Sequence, residues 1–174
     1  MKQGTLKGIE QYADFSDHER DLLEKLFIEE RYPAGKVLIR EGDRSGSIRS
    51  ALYLVLEGEV RIYRNEPTSE TGEKTFAFEA FARPPSLFGI ISLSTERPHT
   101  ATCVTNTVCT LAHLDRPAFD ALHRDHSALA ARFELLMARQ LVRDLRRLTN
   151  SLVSKFEGAK AERSDPFAAS LGRG

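Results

Sequence analysis

Hydrophobic and polar positions divide the chain into a helical opening, a strand-rich middle and a helical close. The opening turns on Ser16-Asp17-His18-Glu19. A serine and a glutamate three residues on can each satisfy the other's unpaired backbone N–H, the capping-box arrangement of a helix start. Phe15 stands where a hydrophobic staple belongs, and Leu22, Leu23, Leu26 and Phe27 follow at helical spacing. The pattern predicts a helix over 17–30. Tyr32-Pro33-Ala34-Gly35 ends it, because proline disfavours helical geometry in the residue before it. Between 37 and 114 the period drops to two. Val37-Leu38-Ile39, Leu52-Tyr53-Leu54-Val55-Leu56, Val60-Arg61-Ile62-Tyr63, Phe76-Ala77-Phe78-Glu79-Ala80-Phe81, 100–105 and 108–114 read as short strands. Polar turns such as Glu41-Gly42-Asp43 and Glu57-Gly58-Glu59 separate them, and the loop over 65–74 is rich in Pro, Thr, Ser, Gly and Glu. Many short strands at close intervals predict a β-barrel or sandwich.

After Arg116-Pro117 the period returns to 3.6. Asp115 is placed as an N-cap with proline in the first turn, and Phe119 and Leu122 mark a short helix. A long helix over 127–156 carries Leu129, Phe133, Leu136, Met137, Leu141, Leu145, Leu148, Leu152 and Phe156 as one broad apolar stripe. The expected division is an N-terminal extension over 1–14, one domain over 15–156, and a tail over 157–174 that lacks periodicity and is expected to be disordered.

Composition narrows the function classes. The chain has 174 residues and 41% hydrophobic residues, enough for one domain with its own core. Cys103 and Cys109 form no CxxC and join no Cys/His cluster, so neither a zinc site nor a disulfide framework is expected, and reduced, half-buried thiols fit a cytoplasmic protein. No signal-like or membrane-length apolar run occurs. With 25 basic and 25 acidic residues, bulk charge does not draw the chain to nucleic acid. Ser92, Ser94 and Thr95 lack a nucleophile elbow and a base, so no catalytic residues and no enzyme activity are assigned. His113, His123 and His126 show no ligand spacing and read as surface histidines, with no metal expected.

Taken in order, Tyr32-Pro33-Ala34-Gly35, Glu41-Gly42-Asp43, Leu52-Tyr53-Leu54-Val55-Leu56-Glu57-Gly58-Glu59-Val60, Leu87-Phe88-Gly89 and Thr100-Ala101-Thr102 resemble the cyclic-nucleotide-binding domain family. That family includes the sensor halves of catabolite-activator-type regulators and the regulatory subunits of cAMP-dependent kinase. The resemblance covers about 15–148. It implies an antiparallel jelly-roll-type β-barrel, mainly β, with a helix before it and a long helix after it. It also implies a short helix beginning at Gly89 whose N-terminus faces the ligand phosphate.

The family's cassette reads Phe-Gly-Glu, then apolar residues, a spacer and Pro-Arg-x-Ala. Its glutamate accepts from the ribose hydroxyl and its arginine pairs with the cyclic phosphate. The matching residues here are Phe88, Gly89, Ile90, Ile91, Ser92 and Leu93, then Pro98, His99, Thr100 and Ala101. Ile90 has no acceptor, which leaves a buried hydroxyl unpaired at about 1–3 kcal/mol. Histidine cannot make arginine's two-pronged contact. At about 1.4 kcal/mol per decade the two losses weaken cAMP binding by roughly two to four powers of ten.

Two readings follow. In the first, the chain is a non-enzymatic regulatory module acting by homodimerisation or by docking to a regulatory protein. Its partner surface is the helix of Leu129, Phe133, Leu136, Met137, Leu141, Leu145, Leu148 and Leu152, flanked by Arg132, Arg139, Arg143, Arg146, Arg147 and Lys155. In the second, Arg97 reaches the phosphate by a register shift, and a remodelled pocket senses cAMP, cGMP or a cyclic dinucleotide for a separate effector. His99 is then an anion contact or pH-sensitive group; otherwise it is a half-exposed loop histidine. A pocket plugged by Ile90 and Ile91 favours docking. About twenty residues follow the helix, too few for a helix-turn-helix reader, so sequence-specific DNA binding by this chain alone is not expected.

Overall fold

The computed structural model describes residues 1–43, 51–65, 76–95 and 98–164. The capping box forms as expected. Ser16 Oγ accepts from the Glu19 N–H (3.2 Å) and Glu19 accepts from the Ser16 N–H (2.7 Å), opening α1 (Asp17–Leu26). The helix stops four residues short of the expected end, and Ile28–Tyr32 is a strand, β1. Glu29, Glu30 and Arg31 carry little strand propensity of their own. Pairing with β8 (Cys109–Asp115), with Ile28 opposite His113 and Tyr32 opposite Cys109, overrides that local preference.

The remaining strands are β2 (Val37–Ile39), β3 (Ala51–Glu57), β4 (Val60–Asn65), β5 (Phe76–Ala82), β6 (Leu87–Phe88) and β7 (Thr102–Thr105). They form two antiparallel sheets ordered β1-β8-β3-β6 and β2-β7-β4-β5, the jelly-roll arrangement. Gly35, Gly42 and Gly58 all turn with positive φ. At Gly58 the constraint is double, since a Cβ would also stand 2.4 Å from the Val108 carbonyl oxygen.

β3 is apolar on both faces because it separates two cores. Ala51, Tyr53 and Val55 join Leu38, Ile39, Val60, Phe88, Cys103 and Leu111, residues of both sheets, in the barrel interior. Leu52 and Leu54 join Leu87, Ala112 and Leu114 on the opposite side, under the helices. Both cysteines are free and buried rather than half-buried, and burial pushes the Cys103 thiol up to about 12.

Helical residues fill the second core. Asp115 accepts from the Ala118 N–H (2.9 Å) and caps α3 (Arg116–Asp125), which contributes Phe119 and Leu122. The helix α4 (Ser127–Ser164) contributes Leu129, Phe133, Leu136 and Met137, with Phe133 edge-on to Phe27 at 6.1 Å. Residues 1–14 are part of this core as well: Leu6 and Tyr12 are fully buried, in or beside two short 3-10 turns. The buried Glu24 carboxylate accepts from the N–H groups of Gly4 (2.7 Å) and Leu6 (2.6 Å) and holds that segment down. The helix α4 continues past 156 to Ser164, because Ala159, Lys160, Ala161 and Glu162 are good helix formers and no proline occurs before Pro166. Residues 165–174 of the expected tail lie outside the described residues.

Two compact units are distinguished, Met1–Met137 and Ala138–Gly174. Within the first, His123 joins α3 to the start of α4. Its Nδ1 is 3.0 Å from the Phe119 carbonyl oxygen and its Nε2 is 2.9 Å from Glu134 Oε1. Only the imidazolium has a proton for both acceptors. The Phe119 carbonyl, then Glu134 and Asp120, raise the His123 pKa above the ordinary histidine value, against the opposing effect of burial. A raised native pKa contributes stability that is full below about pH 6.5 and is lost as pH rises through the native value. His123→Gln should therefore lose stability at pH 5.5 and little at pH 8.5 in denaturant titrations, whereas an equal loss at both would contradict the assignment.

Candidate functional site

The cassette residues fall on β6, a five-residue helix and the strand entry opposite. Gly89 links β6 to α2 (Ile90–Ser94) with φ 83°, and a Cβ there would stand 2.4 Å from the Ala51 carbonyl oxygen. Left-handed geometry and close backbone approach both require glycine. The start of α2 is thus fixed against β3, while Arg116 Nη1 donates to the Leu93 carbonyl (2.8 Å) near its end. Arg116 is a positioning contact that its sequence neighbourhood does not signal, because it comes from the start of α3, beyond two intervening strands. Phe88 stacks on Tyr53, ring centroids 4.9 Å apart and planes 7° from parallel, in the barrel interior.

The two replaced positions have separate fates. Ile90 is buried with Leu93 in the core beneath the helices, not in the barrel-interior cluster of Tyr53 and Phe88. Ile91 is 48% exposed. A plug of Ile90 and Ile91 in the barrel, the arrangement that favours docking, is therefore not what forms. On a short helix, residues one apart point about 100° away from each other, so burying Ile90 and Leu93 on one side turns Ile91 outward.

His99 is buried, 6% exposed, where a half-exposed loop histidine was one expectation. Its Nδ1 is 2.5 Å from Ser92 Oγ, itself buried. Its backbone is held as well. The His99 N–H donates to the Asp43 carbonyl and the His99 carbonyl accepts from the Gly42 N–H, both at 2.9 Å, so the turn after β2 fixes the residue. The neighbouring Thr102 Oγ1 accepts from the Glu41 N–H (3.0 Å). Burial lowers the His99 pKa below the ordinary value, with the Asp43 charge acting weakly the other way. The imidazole is therefore neutral at pH 7, and the position that carries a permanent cation in the family's cassette carries no charge here. Pro98 and Thr100 are exposed and Ala101 is half-buried. Arg97 lies outside the described residues.

His113, expected at the surface, is buried in β8 with its ring 5.9 Å from Tyr53. Its register opposite Tyr53 puts it inside the sheet, and sequence spacing cannot see that. Among the described residues, no group of three His, Cys, Asp or Glu side chains could hold a metal, and no helix is long and apolar enough to cross a membrane.

The stripe on α4 divides. Leu129, Phe133, Leu136 and Met137 are buried, whereas Leu141, Leu145 and Leu152 are exposed and Leu148 is half-buried. Arg132, counted with the basic flank, is committed to the fold: it pairs with Glu19 and the Asp14 carbonyl, with its guanidinium 4.8 Å over the Phe15 ring. Arg143 donates to Gln140 Oε1 (2.9 Å), while Arg146 and Arg147 face solvent.

A family model described as the cyclic nucleotide-binding domain matches residues 29–126, more than half of the chain. The cyclic AMP receptor protein of Thermus thermophilus is 32% identical over 136 residues, which are 78% of this chain and 59% of that protein. The crystal structure of the Thermus thermophilus catabolite activator protein superposes with a TM-score of 0.61 at 32% identity, over 83% of this chain and 62% of that chain. A cyclic nucleotide-binding domain from Methylobacillus flagellatus reaches 0.73 at 23% identity, over 88% of this chain and 81% of its own, a likeness of fold. The chain thus spans about three-fifths of the length of the two Thermus relatives.

The buried histidine has a pH signature. A depressed native pKa contributes stability that is present above the unfolded value near pH 6.5 and is lost as pH falls through the native value. In a proton NMR titration, His99 should titrate below an ordinary histidine and His123 above it. Removing the charging site with His99→Asn should abolish the loss of stability that His99 causes below pH 6.5. A His99 that titrates normally would contradict its burial against Ser92.

Proposed function

The chain belongs to the cyclic nucleotide-binding domain family, and on that premise we propose that it is a non-enzymatic regulatory module of the cytoplasm that acts by docking through α4 and binds cAMP weakly or not at all. The observation that carries this reading is the buried contact between Ser92 and His99. The residue at the arginine position is neutral, fixed by the turn after β2, and already paired with α2 itself. A cyclic phosphate brought to Gly89 would find no cation there and would have to compete with that internal bond. The residue at the glutamate position, Ile90, is committed to the core and offers a ribose hydroxyl no acceptor. The second half of α4 meanwhile leaves leucines bare. Leu141, Leu145 and Leu152 are all exposed, and a second copy or a regulatory protein would cover them.

One observation favours the other reading. The backbone at Gly89 keeps its left-handed turn at the start of α2, and a relative of 32% identity is named a cyclic AMP receptor. In that case a cyclic nucleotide or cyclic dinucleotide displaces Ser92 from His99, and the domain signals to a separate effector.

Isothermal titration with cAMP, cGMP and cyclic di-GMP, with melting temperature followed in parallel, separates the two. The docking reading predicts no heat and no shift in melting temperature at millimolar ligand. Micromolar binding contradicts it, because a ligand at 100 times its Kd adds about 2.7 kcal/mol to stability and moves the transition visibly.

A further inference from the structure

A groove lies between the N-terminal turns and the sheet of β1, β8, β3 and β6, and none of its lining residues belongs to α4 or to 88–101. It encloses about 610 Å³. Its apolar lining is Ile9 from the N-terminal turns, Leu56 from β3, and the exposed Pro84 and Pro85 from the turn between β5 and β6. Both sides are tied down. The Gln11 side chain donates to the Pro85 carbonyl (2.9 Å), and the Val55 N–H donates to the Ser86 carbonyl (3.0 Å), which holds the proline turn to β3. On the other side the Lys2 N–H donates to Glu29 (3.2 Å). A groove formed in advance spends little binding energy on ordering itself.

The side chains around that apolar lining form an acceptor surface. Glu10, Glu29 of β1 and Glu57 of β3 face the groove against one lining cation, Lys2. Even counting Arg31, which opposes Thr110 in the register without lining the groove, carboxylates outnumber cations. The hydroxyl protons of Thr5 and Thr110 are already given, to the Lys2 carbonyl (2.8 Å) and to Glu57 (2.9 Å). A proline adds a carbonyl acceptor and no N–H. Such a surface calls for a ligand that carries donors and positive charge on an apolar body. The three carboxylates are not grouped to hold a metal ion. An extended peptide can reach them in turn, because its side chains alternate between faces.

We propose that this groove binds an extended segment of a partner protein in which arginine or lysine residues are interspersed with proline or aliphatic ones. The apolar residues of the segment cover Ile9, Leu56 and the proline rings, and its basic side chains pair with Glu29, Glu57 and Glu10. A polyamine would meet the carboxylates and leave the apolar lining in water. The groove is separate from the exposed leucines of α4, so it adds a second docking surface to the module.

Selection from a random heptapeptide phage library on the immobilised full chain tests it. Enriched sequences should combine arginine or lysine with proline or aliphatic neighbours. The best of them, made as a free peptide, should lose about tenfold in affinity for the Glu29→Gln/Glu57→Gln chain and about threefold for Glu10→Gln. Glutamine keeps the acceptor oxygen that the Lys2 N–H and the Thr110 hydroxyl use, so both variants should melt with the wild type. No enrichment, acidic or neutral winners, or a winner that binds all three chains equally overturns the proposal. Spermidine that competes as strongly as the peptide itself also overturns it, in favour of a polyamine site.

Discussion

The structure depends on a single strand, β3, that is buried on both faces. Its odd-numbered residues, Ala51, Tyr53 and Val55, line the barrel, and Leu52 and Leu54 support the helices, so neither core closes without it. Its first carbonyl, that of Ala51, sets the close approach that only Gly89 accommodates, and this positions α2. Tyr53 gives Phe88 its stacking partner. The place where a family member would hold its ligand is therefore framed by the same backbone that holds the two cores together. That explains how the frame persists while the chemistry within it has changed.

The change follows from burial. A carboxylate at position 90 would have to sit beside Leu93 in the core under the helices, and an isoleucine belongs there without cost. At position 99 a permanently charged guanidinium is replaced by a group that can enter the barrel wall neutral and bond to Ser92. At both positions the side chain makes its contacts within the protein. The second half of α4 shows the opposite balance, with Leu141, Val142, Leu145, Leu152 and Val153 exposed.

Much of this was legible in the sequence, for local reasons. Ser16 and Glu19, Asp115 and Ala118, and the alternation of Val60 to Tyr63 act through neighbours in the chain, and each element they announce is present. β1 was hidden because Glu29, Glu30 and Arg31 are strand residues only by virtue of β8. His113 reads as a surface group in the sequence because its burial is decided across the sheet, opposite Tyr53. The cassette could be located residue by residue, but the directions of Ile90 and Ile91 could not, since which side of a one-turn helix faces the core is a tertiary matter. A heptad count could have divided the stripe on α4, where Leu136 and Leu145 fall on opposite sides of the helix.

A crystal structure of the chain grown with millimolar cAMP tests the account most directly. It should show Ser92 Oγ still bonded to His99 Nδ1, Ile90 still in the core, and no nucleotide beside Gly89. A cyclic phosphate bound at the start of α2, with His99 turned away from Ser92 to meet it, would contradict the proposal that the chain binds cAMP weakly or not at all.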